Sequence, residues 1–204
     1  YVSVTCDGVG EGETMSIYTI DNDYKIRKIC TNFYPNSIGL LYSTITDYLG
    51  FEINEGEFKV MSLSSFGKPI YEKEFKKVFD INNFTINMDY FEFHKSPSKS
   101  FSNKLCEVFG EPYLNISEEV NFNKYADIAS SAQLILEHTM KNLIQKAMDL
   151  SGKRKIVLAG GVALNCKMVH SLSKQNIFEE LIVPPSPGDS GSAIGAANFA
   201  FLEK

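Results

Sequence analysis

A short apolar run, Lys155-Ile156-Val157-Leu158-Ala159, ends at Gly160-Gly161 and leads into a segment with helical spacing over residues 163–175. A strand without polar alternation is buried on both faces, which marks a parallel sheet covered by helices. Leu181-Ile182-Val183 repeats the pattern, with a turn over 184–189 and a small-residue helix predicted over 190–202. Upstream, Ala129, Ala132, Leu136, Met140, Leu143, Ala147 and Leu150 recur at intervals of three and four. That spacing predicts a helix over 125–150 with one apolar face, ended by Ser151-Gly152. Strands feeding helices through short glycine turns define an α/β fold.

The remaining segments fit around that core. Residues 1–6, 15–20 and 24–30 read as strands, the last two joined through Asp21-Asn22-Asp23 in a hairpin. Helices are predicted over 36–49 and 55–63, and residues 69–79 are amphipathic and basic. Residues 82–115 read as an insertion on a single domain spanning 1–204. It carries short strands at 84–88 and 90–93, a helix near 101–109, and Phe84, Phe91, Phe93 and Phe101 as its packing residues.

Composition excludes several function classes. A net charge of −5, with Lys153-Arg154-Lys155 the densest basic run, argues against duplex nucleic acid as a partner. No apolar run approaches the roughly 20 residues of a membrane span, and the first residues read as a strand, so a cytoplasmic location is expected. The chain opens without Met inside an extended segment, which is expected of a fragment. Cys6, Cys30, Cys106 and Cys166 form no CxxC pair and are expected as buried free thiols. His94, His138 and His170 are scattered and are read as structural, as Lys73, Lys76 and Lys77 are read as a solvated helix face.

Three segments carry chemistry. Asp7-Gly8-Val9-Gly10-Glu11-Gly12 sets a carboxylate at a strand end before glycines. Such a carboxylate can face a cation while backbone N–H groups approach phosphate, although a plain turn uses the same residues. Gly160-Gly161-Val162-Ala163-Leu164-Asn165 opens a helix after a strand. There a flat ring can lie against the backbone, the helix N-terminus adds donors, and Asn165 can bond a base or sugar; tight packing explains the glycines equally well. Pro187-Gly188-Asp189-Ser190-Gly191 ends at a second junction, where Asp189 is either a metal ligand or a helix N-cap. An acidic-glycine hairpin, a Gly-Gly turn and a small-residue helix in this order resemble the actin and sugar-kinase superfamily.

Closer motifs narrow the resemblance. Ser37-Ile38-Gly39-Leu40-Leu41-Tyr42, Leu49-Gly50-Phe51 and Glu55-Gly56-Glu57-Phe58-Lys59-Val60-Met61 resemble the nodulation-factor and antibiotic O-carbamoyltransferase family. Ala126-Asp127-Ile128-Ala129, Gln133 and Glu137 match its long helix, and the two glycine segments match its nucleotide-site motifs. The resemblance covers the chain except 82–115. It implies an actin-like (ribonuclease H-like) ATPase core, of which this chain is the second half. It implies that ATP and carbamoyl phosphate form carbamoyl-adenylate, whose carbamoyl group passes to a hydroxyl of a small molecule. By position, Asp7 and Asp189 become catalytic ligands of iron, or of another divalent metal such as Mg. Gly8, Gly10, Gly160, Gly161 and Asn165 become nucleotide contacts, and Glu57 and Lys59 line the acceptor side. The resemblance sets paired metal-binding histidines before Tyr1 and an activating domain beyond Lys204, so the chain alone is expected to be inactive; a homodimer is compatible with it. Ser62, Ser64 and Val169 depart from the family pattern. Two other readings keep the fold: a phosphate-transferring relative and a non-catalytic scaffold.

Overall fold

Alternation decides the first strand: Val2, Val4 and Cys6 are almost fully buried, while Ser3 and Thr5 between them are half-buried. The computed structural model describes residues 1–23, 25–96, 99–113 and 119–202. Tyr24, where the third strand was expected to start, and the end of the 82–115 segment at Asn115 lie outside them. Strand β1 (Val2–Gly10) runs longer than its sequence suggests and pairs with β2 (Glu13–Ile20). Residues Asp7 to Gly10 are therefore strand, with a register shift between Cys6 and Gly10, and not a loop before the hairpin. The turn itself is Glu11-Gly12, whose φ angles of +53° and +93° suit a two-residue hairpin matching the strand twist. Strand β3 (Ile26–Phe33) follows through Asp21, whose Oδ1 accepts from the N–H groups of Asp23 and Lys25.

Helix α1 (Ile38–Tyr48) begins at Ser37, whose hydroxyl accepts from the Leu40 N–H at 3.0 Å and donates to the Asp7 carbonyl at 3.0 Å. One side chain thus caps the helix and ties it to the end of β1. The approach is close enough that a Cβ on Gly39 would stand 2.6 Å from the Asp7 carbonyl oxygen. Helices α2 (Glu57–Leu63) and α3 (Glu72–Val78) follow, then a two-strand ribbon of β4 (Phe79–Asp80) and β5 (Thr85–Ile86) and helix α4 (Asn103–Phe109). The expected strand at 84–88 shortens to β5, and that at 90–93 reduces to a bridge between Phe91 and Phe101. Phe84, Phe91, Phe101 and Phe109 bury their rings in the same cluster as the sheet residues.

Helix α5 (Glu119–Ser151) lays Ala129, Ala132, Leu136, Met140, Leu143 and Ala147 into the core, each 2% exposed or less. At roughly 1.5–3 kcal/mol for each large apolar side chain, this face is a main source of stability. Leu150, expected on that face, is 53% exposed in the last turn. Strand β6 (Lys155–Ala159) follows, then a 3-10 turn over Gly161–Leu164, helix α6 (Cys166–Ser173), strand β7 (Glu180–Ile182) and helix α7 (Gly191–Leu202). The helix expected from residue 163 starts at 166 because Asn165 caps it, accepting from the Met168 N–H at 2.9 Å.

The sheet order is β3-β2-β1-β6-β7, with β1, β2 and β3 antiparallel and β1, β6 and β7 parallel. Val2 pairs with Ile156, and Ile156 with Leu181. Helices α1 and α5 pack on β1. All four cysteines are free, but only Cys6 is buried; Cys30 and Cys106 are half-buried and Cys166 is exposed, against the expectation of buried thiols. No helix among the described residues is long and apolar enough to cross a membrane.

Candidate functional site

The three segments singled out in the sequence lie at or beyond the carboxyl ends of β1, β6 and β7, the three neighbouring parallel strands. Ligands in open α/β sheets bind outside such ends, where the strand order reverses. Hydrogen bonds hold the segments together. The Asp7 carboxylate accepts from the Gly8 N–H through Oδ1 and from the Gly161 N–H through Oδ2, both at 2.8 Å. The Gly160 N–H donates to the Pro187 carbonyl at 2.7 Å. Gly160 has φ +95°, and a Cβ there would stand 2.1 Å from the Cys6 carbonyl oxygen, so only glycine fits the turn.

Two cavities open around this junction, of about 730 and 450 Å³, and Asp7, Gly188 and Asp189 line both. The larger lies between the hairpin strands and α7 and includes Gly10 and Gly160 in its wall. The smaller lies between α1, α2 and the Gly161 turn and includes Gly8, Glu57, Gly161 and Asn165. Eight of the nine residues chosen from sequence therefore border one or both cavities. Lys59 borders neither; its Nζ stands over the Phe51 and Phe58 rings at 5.7 and 5.9 Å, a cation–π arrangement on the outer face of α2.

The side chains differ in what they have left to offer. Both Asp7 oxygens are engaged by backbone amides. Asp189 takes no hydrogen bond on its carboxylate from the described residues; its backbone carbonyl, not its side chain, accepts from Ser192. The N-cap role considered for Asp189 is therefore not the one it plays. Glu57 Oε1 accepts from the Ser43 hydroxyl at 2.8 Å and the Asn54 N–H at 3.0 Å, and Oε2 has no partner among the described residues. Phe58, Met61, Leu136 and Val162 supply an apolar wall beside it.

A polar network that the motifs did not reveal underlies the smaller cavity. Gln133, 2% exposed on α5, accepts from the Tyr42 hydroxyl at 3.0 Å and from Asn165 Nδ2 at 2.9 Å. Its Nε2 donates to Asn165 Oδ1 at 3.1 Å and to Glu137 Oε1 at 2.9 Å. Its signal in the sequence was a glutamine beside the apolar positions Ala132 and Leu136, four residues before Glu137. Lys167 escaped notice as well; its Nζ bonds the Ser64 hydroxyl at 2.8 Å, at one of the positions departing from the family pattern.

Cys6 and Tyr42 are shifted in their acidity. Burial first, and then the neighbouring Asp7 charge, pushes the Cys6 thiol up to about 12, so it stays protonated and is no nucleophile. Burial also lifts the Tyr42 phenol well above the ordinary tyrosine range; the Asn165 amide opposes this, and the Glu137 and Glu57 charges reinforce it. Among the described residues no three His, Cys, Asp or Glu side chains are grouped to hold a metal ion. Asp7 and Asp189 thus make at most two donors, and none of His94, His138 and His170 borders either cavity.

Comparison with known proteins adds the family. A family model described as the carbamoyltransferase N-terminus matches residues 2–198. An uncharacterized protein of Synechocystis, sll1178, is 34% identical over 200 residues, covering 96% of this chain and 32% of its own length. The nodulation protein NolNO of Sinorhizobium fredii is 27% identical over 198 residues, covering 95% of this chain and 27% of its own length. An uncharacterized protein of Methanocaldococcus jannaschii, MJ1051, is 33% identical over 212 residues, covering 95% and 36%. The chain spans about a third of the length of these relatives.

Proposed function

This chain belongs to the carbamoyltransferase N-terminal family, and from that membership we propose that it carries the nucleotide and acceptor site of an ATP-dependent carbamoyltransferase. In this reading water releases phosphate from carbamoyl phosphate, the resulting carbamate displaces pyrophosphate from the ATP α-phosphorus to give carbamoyl-adenylate, and the carbamoyl group then passes to a hydroxyl of a small molecule. The observation that carries it is the junction of two cavities at Asp7, Gly188 and Asp189, outside the ends of three parallel strands. Three antiparallel strands continued by two parallel ones support an actin-like, ribonuclease H-like core. In this proposal the chain is the second half of that core, within a region that matches the carbamoyltransferase N-terminus.

Each group has a role it can perform. Backbone N–H groups of the glycine segments suit phosphate oxygens, and the Gly160-Gly161 turn leaves room for a flat base. The acceptor hydroxyl donates to Glu57 Oε2, which has no partner among the described residues. Its oxygen attacks the carbamoyl carbon, the carbon–oxygen bond to the adenylate phosphate breaks, AMP leaves, and the hydroxyl proton passes to Glu57. The apolar wall of Phe58, Met61 and Leu136 limits water at that carbon.

A divalent metal of the expected kind, iron or Mg, would polarise the carbamoyl oxygen. Asp7 and Asp189 are the carboxylates that would hold it, and among the described residues no third His, Cys, Asp or Glu is grouped with them. The test is product analysis with the full-length protein, radiolabelled carbamoyl phosphate and ATP. Label transfer to a hydroxyl-bearing acceptor with AMP release supports the reading. ADP formation would point to phosphate transfer, and nucleotide binding without turnover to a scaffold; either result sinks it.

A further inference from the structure

Glu57 is carried by α2, a helix of seven residues that buries only Val60. A helix so short and so lightly packed does not fix a side chain by itself. Two neighbouring elements hold Glu57 instead. The Ser43 hydroxyl on α1 donates to Glu57 Oε1 at 2.8 Å, and the Asn54 N–H donates to the same oxygen at 3.0 Å. Asn54 presents that N–H from a left-handed backbone conformation, φ +70°. Ser43, Asn54 and Glu57 all border the smaller cavity.

The two donors divide the carboxylate. Both fall on Oε1, and Oε2 has no partner among the described residues. The bond from Ser43 also sets where Oε2 stands. Helix α1 is anchored in the core by Leu41, Ile45 and Tyr48, each 1% exposed or less. At its start the Ser37 hydroxyl donates to the Asp7 carbonyl at 3.0 Å. One firmly packed helix therefore holds the end of β1 through Ser37 and Glu57 through Ser43.

We infer that Ser43 is a positioning residue for carbamoyl transfer: its hydroxyl fixes Glu57 so that Oε2 meets the acceptor hydroxyl. This rests on the reading of Glu57 as the group that takes the acceptor proton. The Ser43 hydrogen stays on Oε1 while the acceptor proton moves to Oε2, so Ser43 touches no reacting atom. Its effect on the reaction exists only while Glu57 is present.

A double-mutant cycle measures that dependence. The full-length protein receives ATP, radiolabelled carbamoyl phosphate, and glycerol or glucose as the hydroxyl donor. Label transfer is compared for wild type, Ser43→Ala, Glu57→Gln and the double variant. Ser43→Ala lowers kcat about tenfold, the effect of one lost hydrogen bond to a charged group, and leaves KM for ATP within about twofold. In the Glu57→Gln background the same substitution changes kcat by less than about twofold, because no base is left to orient. Ser43→Thr keeps a hydroxyl on the same carbon and restores kcat to within about threefold of wild type. A Ser43→Ala protein with wild-type kcat overturns the inference. So does an equal loss in both backgrounds, since Ser43 would then act through the fold and not through Glu57. A Thr variant as slow as the Ala variant overturns it as well. If Ser43→Ala does not fold, Ser43→Cys replaces it with a weak donor in the same place, and wild-type kcat in that variant overturns the inference. A Glu57→Gln protein with wild-type kcat, or a wild type that carbamoylates neither compound, removes the base reading and this inference together. A slow Glu57→Gln beside a normal Ser43→Ala removes only the inference.

Discussion

Asp7→Asn separates the two things Asp7 does. In the folded protein both carboxylate oxygens accept backbone N–H groups, from Gly8 and Gly161 at 2.8 Å. An asparagine has one oxygen, so its NH₂ must face one of those donors and that bond becomes an opposition. A hydrogen bond to a charged group is worth about 1.5–3 kcal/mol, and Asp7 is only half-buried, which places the expected loss near 1–2 kcal/mol. The damage concentrates at the Gly160-Gly161 turn, because Gly8 is held locally while Gly161 stands in a turn 154 positions away in the chain. Urea denaturation measures the stability loss, and amide hydrogen exchange at Gly161 measures the local opening. Exchange at Gly161 should accelerate more than at Val4 or Leu158 in the strand interiors. Wild-type stability together with unchanged Gly161 exchange would refute the account of Asp7 as the latch between the two segments.

Gly160→Ala and Gly10→Ala make a matched pair at the larger cavity. The first carries φ +95° and a Cβ position 2.1 Å from a carbonyl oxygen, and it should lose about 3 kcal/mol or more in chemical denaturation; the second meets nothing within 4 Å and should stay within about 0.5 kcal/mol. Asp189→Asn and Asp189→Ala should both keep wild-type stability, since the carboxylate takes no hydrogen bond from the described residues, while carbamoyl transfer by the full-length protein falls at least about 100-fold. Normal turnover in the Asn variant would end its role in the site. Cys6 gives a pH signature. Its thiol is raised from 9.0 to about 12 by burial, so the folded state holds its proton where the unfolded state has lost it. Below pH 9.0 both states hold the proton and the thiol leaves stability unchanged; as pH rises toward about 12 the unfolded state alone ionises and stability falls, with a slope of up to about 1.4 kcal/mol per pH unit that Cys6→Ala should remove. Thiol labelling of the native protein at neutral pH should modify the exposed Cys166 and spare Cys6.

Sequence patterning is strong where one physical rule acts alone. Strand β6 was read at its observed bounds because a purely apolar run ends at glycine, and no competing conformation suits such a run. Parallel pairing of β6 with β1 and β7 follows the same logic. Where two rules compete, the sequence misleads. Asp7 to Gly10 has turn composition, yet the strand continues through it because the pairing of Gly10 with Glu13 closes a two-residue hairpin one step later. Asn165 has the composition of a ligand contact and also caps α6, which moves the helix start from 163 to 166. Most of the site residues found from motifs lie in or beside the glycine segments that follow strands. Tyr42 and Gln133 stand in the motifs without a role, because their roles arise only when α1, α5 and the Gly161 turn meet, through hydrogen bonds spanning 91 and 32 positions.

The hydrogen bonds divide the site into scaffold and reagents. Asp7, Ser37, Gly160 and Gln133 are occupied in tying β1, α1, α5 and the strand-end turns to one another. Glu57 Oε2 and the Asp189 carboxylate have no partner among the described residues, and both residues border the smaller cavity. A group already bonded in the folded chain must break that bond before it can serve a ligand, at a cost comparable with what the new bond returns. An unengaged group meets no such opposition, and one held in place by its neighbours loses little freedom on binding. Asp7 and Asp189, alike in sequence as carboxylates at strand ends, therefore stand on opposite sides of this division. Substituting Asp7 should disturb the turn first and ligand affinity through it, whereas substituting Asp189 should change only what the cavity holds.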